Sequence, residues 1–249
     1  MSSWLTQNRT IVITGGATGI GLALTRRFAK DGNKVIMVGR RQAVLDAVVA
    51  EFSDYKVESL CADVETESGR VALYEQIIAK YPEVSVLVNN AGIGRLIDFA
   101  SGLEWKSVVS EYDINLHAPI HLSMLFAKRW VDTNTDSVIA SVTSGLAYYP
   151  ASYTPVYCSS KAALHSIVWS MRHQFKNKPI KVIEIIPPLV ATDFNPPQVS
   201  TFGANLDEFA EDIYGKLKNG EEEVAFGTAE ERRALYNAAF STRFNELNK

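Results

Sequence analysis

The chain has 249 residues, of which 47% are hydrophobic and 21% charged, and its formal net charge is −3. That balance is typical of a soluble globular domain, and the small negative charge gives no electrostatic reason to expect binding to nucleic acid or to an anionic membrane. The first ten residues lack the features of a signal peptide, and no apolar run is long enough to cross a bilayer. We therefore expect a soluble cytoplasmic protein.

Cysteine and histidine usage gives no indication of a metal centre. Cys61 and Cys158 lie far apart without ligand-spaced neighbours, which argues against a disulfide framework and fits a reducing compartment. His117 and His121 have a helical spacing that can bind a metal. Because no third ligand is evident in the sequence, we predict that they lie on a helix surface and that the protein has no metal site.

Short runs rich in Val and Ile alternate along the chain with amphipathic stretches. The runs are 10–14, 34–38, 56–60, 84–88, 136–142, 180–186 and 222–226. Few polar residues interrupt them, so they predict parallel strands covered on both faces. The intervening stretches predict crossover helices, which are right-handed almost without exception. The fold class is therefore α/β, a Rossmann-type doubly wound sheet of about seven strands in a single domain spanning 1–249.

A glycine-rich segment, TGGATGIG (14–21), follows the first predicted strand and opens a helical pattern. Gly15, Gly19 and Gly21 are spaced GxxxGxG. Residues without Cβ allow a tight turn and let the backbone approach a pyrophosphate at a helix N-terminus. Because no lysine follows the glycines, a P-loop nucleotide hydrolase is disfavoured. The segment predicts a dinucleotide site.

The end of the second predicted strand indicates which dinucleotide is bound. The strand runs into Gly39, Arg40 and Arg41, where an NAD enzyme usually has Asp or Glu to bind the ribose 2′-hydroxyl. The missing carboxylate removes repulsion of a 2′-phosphate, and the Arg40 guanidinium could bind one. In the alternative, both arginines are solvated residues at a helix start. The absent acid makes us expect NADP(H) in preference to NAD(H).

The segment YCSSK places Tyr157 and Lys161 on one face of the helix that follows the fifth strand. A tyrosine with its ordinary pKa of about 10 is a poor base at neutral pH. We expect the ammonium of Lys161, together with an oxidised nicotinamide, to lower the pKa of Tyr157. The spacing arises by chance on many helices, so its place in a dinucleotide fold is what makes it informative.

The last part of the chain has recognisable helix boundaries. Paired prolines and no periodicity predict a loop at 193–205, at the sheet edge where ligands bind. Asn205 and Gly220 predict the two caps of the next helix, and Thr228 with Glu231 has the spacing of a capping box. The last helix then carries an apolar stripe of Tyr236, Phe240, Phe244 and Leu247.

Five motifs together resemble the short-chain dehydrogenase/reductase family. They are TGGATGIG, NNAG (89–92), the Asn115 of DINLHAP, Ser144, and YCSSK, in the family's order and spacing. The resemblance extends to Thr192 and is similar to the DltE-like group of the compact single-domain branch. It implies an NADP(H)-dependent oxidoreductase that transfers a hydride between the nicotinamide and a small carbonyl or alcohol substrate.

The resemblance also implies roles for individual residues. Tyr157 exchanges a proton with the substrate oxygen, and Ser144 donates a hydrogen bond to that oxygen. Lys161 bonds the nicotinamide ribose, and Asn115 holds a water that links Lys161 to solvent. The implied cofactor contacts are Thr14, Gly15, Gly19, Ile20, Gly21, Arg40, Asp63, Asn90, Ala91, Gly92, Tyr157, Lys161, Val190 and Thr192.

Some features leave alternatives open. Pro187-Pro188 replaces the family's Pro-Gly, which changes the backbone near the nicotinamide. Ser141 and Thr143 are hydroxyls that compete with Ser144, although the spacing to Tyr157 favours Ser144. Arg95 either meets an acidic substrate group or forms a structural salt bridge. Four aromatic residues either wall the substrate pocket or pack internally: Tyr148, Tyr149, Tyr153 and Phe194.

Two rival functions and an assembly complete the predictions. A non-catalytic dinucleotide-sensing regulator of the same fold is the main alternative, and the retained Asn115, Ser144, Tyr157 and Lys161 count against it. A serine hydrolase is disfavoured because the chain has no GxSxG elbow.

The helices that contain Asn115 and Tyr157 carry more apolar positions than one buried stripe needs. They predict a homodimer or homotetramer.

Overall fold

A seven-stranded parallel sheet forms the centre of the protein, in the order β3-β2-β1-β4-β5-β6-β7. The structure, a computed structural model, describes residues 8–100, 102 and 104–247, and the side chains up to residue 237. The strands are β1 Thr10–Thr14, β2 Lys34–Gly39, β3 Val57–Cys61, β4 Val84–Asn89, β5 Ser137–Val142, β6 Ile180–Ile186 and β7 Glu223–Ala225. The predicted α/β doubly wound sheet is confirmed.

Helices cover both faces of this sheet. They are α1 Gly19–Lys30, α2 Gln42–Ala50, α3 Glu67–Lys80, α4 Trp105–Tyr112, α5 Ala118–Asp132, α6 Pro155–Gln174, α7 Pro197–Ser200, α8 Leu206–Lys218 and α9 Thr228–Leu247. Successive strand residues point to opposite faces, so Ile11 and Ile13 pack with the helix residues Phe28 and Phe209. Val12 packs on the other face with Phe126. Within the described part of the chain, none of the helices has the length and apolarity needed to cross a bilayer.

The strand order reverses between β1 and β4, and the loops at the carboxyl ends of the strands meet beside this point. Ligands bind at such a switch point in open α/β sheets. The predicted site residues follow the strands there: 14–21 after β1, Arg40 after β2, Asp63 after β3, 90–92 after β4, Ser144 after β5, and Val190 and Thr192 after β6.

One local feature differs from the sequence expectations. A short helix, α7, lies inside the predicted loop 193–205, because Pro197 has the backbone angle that a first helical position needs and no N–H to lose there. The last helix begins at Thr228, the residue that the sequence predicts to open it. The predicted packing of Phe240, Phe244 and Leu247 lies outside the described side chains.

The predicted caps of α8 are confirmed. The Asn205 side chain accepts hydrogen bonds from the backbone N–H groups of Asp207 and Glu208. Gly220 follows the helix at φ +85° and donates its N–H to the Leu217 carbonyl at 3.0 Å, as a C-terminal glycine does. These caps fix where the chain leaves the loop 193–205 and re-enters regular structure.

Candidate active site

The glycine loop forms a tight turn between β1 and α1. Gly15 and Gly19 have φ values of +67° and +49°, which favour glycine. A Cβ on Gly21 would lie 2.2 Å from the Gly15 carbonyl oxygen and 2.5 Å from Asn90 Nδ2. Among the described residues, no side chain caps the start of α1, so its first N–H groups are available to a phosphate. These observations fit a dinucleotide pyrophosphate.

Hydrogen bonds join the end of β4 to this loop. Thr14 Oγ1 accepts from the backbone N–H groups of Asn90 and Ala91, both at 3.0 Å. Asn90 Nδ2 donates to the carbonyls of Thr14 at 2.9 Å and Gly15 at 3.2 Å. The first strand, the glycine loop and the NNAG segment therefore form one rigid cradle.

The ends of β2 and β3 lie beside this cradle and present two predicted positions. Arg40 is half-exposed, and its Nη1 lies 3.6 Å from Glu65 Oε2. Asp63 is exposed and accepts a hydrogen bond from the Glu65 N–H at 3.0 Å. Sequence reasoning considered only the end of β2 and missed Glu65, because this carboxylate comes from the loop after β3.

The structure brings together the four predicted catalytic side chains. Tyr157 and Lys161 lie one turn apart on α6, with Lys161 Nζ 5.7 Å from the Tyr157 ring centre. The Ser144 hydroxyl lies close enough to Tyr157 to lower the pKa of the phenol. A Cβ on Gly92 would lie 3.3 Å from Asn115 Oδ1 and 3.6 Å from Lys161 Nζ, so both side chains lie against Gly92.

Asn115 lies in a π-helical turn, Asp113–His117, between α4 and α5. Such turns insert one extra residue per turn and often occur at functional sites. The side chain is fully buried, accepts from the Ile93 N–H at 2.9 Å and donates to the Ile93 carbonyl at 2.8 Å. Its Nδ2 also donates to Ser160 Oγ at 3.2 Å. Asn115 therefore ties the loop after β4 to the helix that carries Tyr157.

Burial affects the ionisation of Tyr157 and Lys161. It raises the pKa of Tyr157 to about 12, against a smaller opposing effect of the Ser144 hydroxyl. Burial also lowers the pKa of Lys161 to about 8, and Lys161 Nζ donates to the Val142 carbonyl at 2.8 Å. In the protein chain by itself the pKa of Tyr157 is therefore raised, because burial disfavours the phenolate, and the lowering expected with an oxidised nicotinamide stays a prediction.

The segment after β6 lies against the glycine loop. Val190 is buried and pairs with Ala204 in an isolated bridge, so only its backbone is available to a ligand. A Cβ on Gly19 would lie 3.5 Å from the Thr192 side chain. Pro187-Pro188 stands where the family has Pro-Gly. The Pro187 carbonyl accepts a hydrogen bond from the Gly145 N–H at 2.9 Å.

Beyond Tyr157 the site opens onto apolar loops. The Phe194 ring lies 5.7 Å from the Tyr157 ring, centre to centre, and a Cβ on Gly94 would lie 3.2 Å from Phe194. Large apolar side chains are exposed on the loops after β4, β5 and β6: Leu96, Phe99, Tyr149, Tyr153, Leu189 and Phe202. Tyr148 is buried, so it belongs to internal packing.

The polar residues with open alternatives have protein partners. Arg95 Nη1 donates to the Ser107 carbonyl at 3.0 Å and lies 3.5 Å from Glu111 Oε2. The structural salt bridge is therefore formed. The Glu111 side chain is fully buried, and its pKa is raised by that burial, against the opposing charge of Arg95.

The two histidines near Asn115 also contact neighbouring side chains. His117 Nδ1 lies 2.7 Å from Asp113 Oδ1, and His121 Nδ1 accepts from Arg70 Nε at 3.1 Å. Within the part of the chain that the structure describes, no three His, Cys, Asp or Glu side chains are grouped as metal ligands.

Comparison with known proteins agrees with this geometry. A family model for short chain dehydrogenases matches residues 9–201. The chain is 38% identical over 247 residues to the uncharacterized oxidoreductase DltE of Bacillus subtilis, and the alignment covers 97% of both chains. The chain belongs to the short-chain dehydrogenase/reductase family. It is therefore an oxidoreductase that acts on alcohol or carbonyl groups with a nicotinamide dinucleotide.

Solved structures share the fold at lower identity. A short-chain dehydrogenase from Sphingobium yanoikuyae in complex with NADPH superposes with a TM-score of 0.84 at 21% identity, covering 97% of this chain and 96% of that one. A short chain dehydrogenase/reductase from Burkholderia phymatum in complex with NAD has a TM-score of 0.79 at 18% identity, covering 90% of each chain. Proteins with this fold thus bind either cofactor.

Proposed function

We propose that this protein is an NADP(H)-dependent oxidoreductase that interconverts a carbonyl and an alcohol, with Tyr157 as its general acid and base. The observation that carries the proposal is the position of Tyr157, which lies beside Ser144 and one helical turn from Lys161. This group lies at the sheet edge that also holds the glycine cradle. A proton donor and a cofactor cradle at one edge are what hydride transfer to a carbonyl requires.

The proton chemistry follows from the state of these side chains. With a pKa of about 12, Tyr157 is protonated at neutral pH and can donate to a carbonyl oxygen. Ser144 can stabilise the charge that develops on that oxygen. With a pKa of about 8, Lys161 is mostly charged at neutral pH and favours ionised Tyr157 after the transfer. This state favours carbonyl reduction.

The proposed cofactor contacts are the cradle and the strand ends beside it. We propose that the loop from Thr14 to Gly21 and the segment Asn90–Gly92 hold the dinucleotide, with Asp63, Val190 and Thr192 at its two ends. Gly39 and Arg40 support NADP(H), since the former adds no carboxylate and the latter brings a guanidinium. When bound, the nicotinamide supplies or accepts the hydride. Lys161 would bond the ribose, and Asn115 would hold the water that links Lys161 to solvent.

Two further features belong to the proposal. The segment 193–205 acts as a lid over the substrate, because it carries Phe194 against the Tyr157 ring. The dimer or tetramer remains a prediction. Trp105 and Val109 on α4 and Met124 on α5 are exposed, on the helices that continue into the π-helical turn of Asn115.

A substrate panel with a matched pair of tyrosine variants tests the proposal. Aldehydes, ketones and alcohols are assayed by absorbance of the reduced cofactor, with NADP(H) and NAD(H) in parallel. Tyr157→Phe should lower kcat by about 10²–10⁴-fold while NADPH still binds. Tyr153→Phe removes an exposed phenol from the neighbouring loop and should leave kcat near the parent value. If Tyr157→Phe keeps full activity, the proton comes from another group, and if the parent is inactive throughout while binding NADPH, the chain is a dinucleotide-sensing regulator.

A further inference from the structure

A carboxylate that the proposed chemistry does not use is buried beneath the active site. Glu184, in β6, has no solvent exposure. Burying an ionised carboxylate costs free energy unless hydrogen bonds and charge partners compensate. Glu184 Oε1 accepts from the Thr143 hydroxyl at 2.7 Å, and its two oxygens lie 2.9 and 3.0 Å from His165 Nδ1. Because a carboxylate only accepts, His165 Nδ1 carries the proton and donates.

These partners come from the elements that carry the catalytic side chains. His165 is four residues after Lys161 on α6, so both lie on one face of that helix. Thr143 follows β5 and directly precedes Ser144. Glu184 therefore connects the segment of Ser144 to the helix that carries Tyr157 and Lys161.

Aromatic rings close this network on the side away from the catalytic group. The Tyr148 ring packs edge-on against His165 at 4.8 Å between centres, and the Tyr236 ring of α9 lies 5.5 Å from His165. Tyr148 directly follows the short 3-10 turn, Gly145–Ala147, that Ser144 begins. The network thus contacts the chain on both sides of Ser144.

We propose that Thr143, Glu184 and His165 are positioning residues that fix where Ser144 lies relative to Tyr157. This inference rests on the proposed function, because it assigns the network to the same catalytic group. Backbone hydrogen bonds from Thr143 N to the Ile185 carbonyl and from Gly145 N to the Pro187 carbonyl, both 2.9 Å, pair the chain with β6. Those backbone bonds do not reach α6. The side-chain network does, and it therefore fixes the distance between the segment of Ser144 and α6.

The role also explains why polar side chains stand here. A buried polar network adds little stability relative to well-packed apolar residues of similar size. Its directional hydrogen bonds, however, define the separation between two elements more narrowly than apolar contact does. A displacement of about 1 Å at a reacting group reduces turnover strongly, so such a constraint matters most beside Ser144.

The decisive variants are Thr143→Val and Thr143→Ser, compared with Ser141→Ala. Valine has the shape of threonine without the hydroxyl, whereas serine keeps the hydroxyl. Ser141 is a buried hydroxyl on the same strand, and its Oγ has no hydrogen-bond partner among the described residues. We expect kcat to fall about 10- to 100-fold in Thr143→Val, to recover to within about threefold of the parent in Thr143→Ser, and to be unchanged in Ser141→Ala. The KM for NADPH should be unaltered in all three.

A pH profile distinguishes positioning from a general loss of stability. The Ser144 hydrogen bond lowers the pKa of Tyr157, so its loss raises that pKa. Alcohol oxidation needs ionised Tyr157, and its midpoint in Thr143→Val should therefore move to higher pH. A variant that is only less stable would lose melting temperature without this movement.

A second pair of variants, at His165, tests the same network at a different residue. His165→Asn keeps a nitrogen donor near the position of Nδ1, whereas His165→Leu removes it, so Asn should retain more kcat than Leu. A Thr143→Val enzyme within twofold of parent kcat, or an equal loss in Ser141→Ala, would overturn the inference.

Crystal structures of the parent and of Thr143→Val separate this inference from the proposed function. We expect the distance between Ser144 Oγ and the Tyr157 hydroxyl to be longer in the variant than in the parent, whether or not a substrate has been found. An unchanged Ser144–Tyr157 contact contradicts the positioning role. An inactive parent enzyme with a displaced Ser144 in the variant contradicts only the proposed function.

Discussion

The two sides of the candidate active site are built by different means. On the cofactor side, backbone groups and glycines form the surface, and Thr14 and Asn90 join two strand ends by hydrogen bonds. On the substrate side, the loops after β4, β5 and β6 present exposed apolar side chains such as Phe99, Tyr149 and Leu189.

The difference indicates how each side tolerates change. A cradle made of backbone accepts only residues that preserve its turns, because an added Cβ meets atoms that cannot move away. A wall made of exposed side chains can exchange them without altering the fold. We therefore expect substitutions on the cofactor side to affect cofactor binding, and substitutions on the substrate side to affect which substrate is accepted.

Among the variants that compare the two sides, the largest expected effect is on the backbone cradle. In Gly21→Ala, the new methyl group would lie 2.2 Å from the Gly15 carbonyl oxygen, and the loop has to shift. Overpacking of this kind costs about 1–3 kcal/mol, so we expect NADPH affinity to fall about 10- to 100-fold. Fluorescence titration of NADPH measures this change.

Gly215→Ala is the matched control, since it also changes a helical glycine. No heavy atom lies within 4 Å of the position of its Cβ. This variant should bind NADPH like the parent and gain about 0.5–1 kcal/mol in free energy of unfolding. Equal NADPH affinity in the two variants would show that the cradle is more adaptable than the comparison implies.

The next effect is the pH dependence of carbonyl reduction. It tests Tyr157 and Lys161, which lie between the two sides. Burial lowers the pKa of Lys161 to about 8, so its charge is lost as the pH rises through that value. Tyr157, with a pKa of about 12, stays protonated there. Carbonyl reduction at saturating NADPH should therefore fall about tenfold from pH 7 to pH 9. In Lys161→Met the rate should be low and nearly independent of pH over this interval.

A change in the ratio of NADPH to NADH affinity is the next expected effect, and it should be no larger than the tenfold pH effect. A Cβ on Gly39 would make only ordinary contact with Leu45, at 3.5 Å, so the backbone has room for the Cβ of Gly39→Asp. The added carboxylate repels a 2′-phosphate and can bind a ribose 2′-hydroxyl. We expect the ratio of NADPH to NADH affinity to fall about fivefold to tenfold.

The neighbouring Glu65→Gln provides the opposite change. It removes the carboxylate that lies 3.6 Å from Arg40 and should favour NADPH. Titration of both cofactors against each variant checks this pair. Tighter binding of NADH than of NADPH by the parent protein would contradict the proposed preference.

The smallest effect is expected on the substrate side. Phe194→Ala removes the ring that packs against Tyr157 and should raise the KM of an apolar ketone about threefold, with little change in NADPH affinity. Phe202→Ala changes a more exposed phenylalanine of the same segment and serves as control. A loss of NADPH affinity in Phe194→Ala would mean that the two sides are not independent.

Much of the site could be predicted because its signals are local in the sequence. Gly15 and Gly19 follow a buried strand, and Tyr157 and Lys161 are one helical turn apart, so each pattern carries its own geometry. Interactions between distant segments were not predictable in this way. Glu65 meets Arg40 from another strand end, and Glu184 meets Thr143 and His165 across the sheet face.

By itself, the sequence determined the parallel α/β sheet, the cofactor cradle at its carboxyl edge and the order of the predicted catalytic residues along the chain. Hydrophobic periodicity and glycine spacing are patterns within a few consecutive residues, so they can be read from the sequence. The order of strands and helices along the chain then predicts the parallel sheet and the edge at which these residues meet. Only the tertiary structure decided the burial of Tyr157 and Lys161, which raises one pKa and lowers the other. Desolvation depends on every element packed around a group, and no segment of sequence contains that information alone.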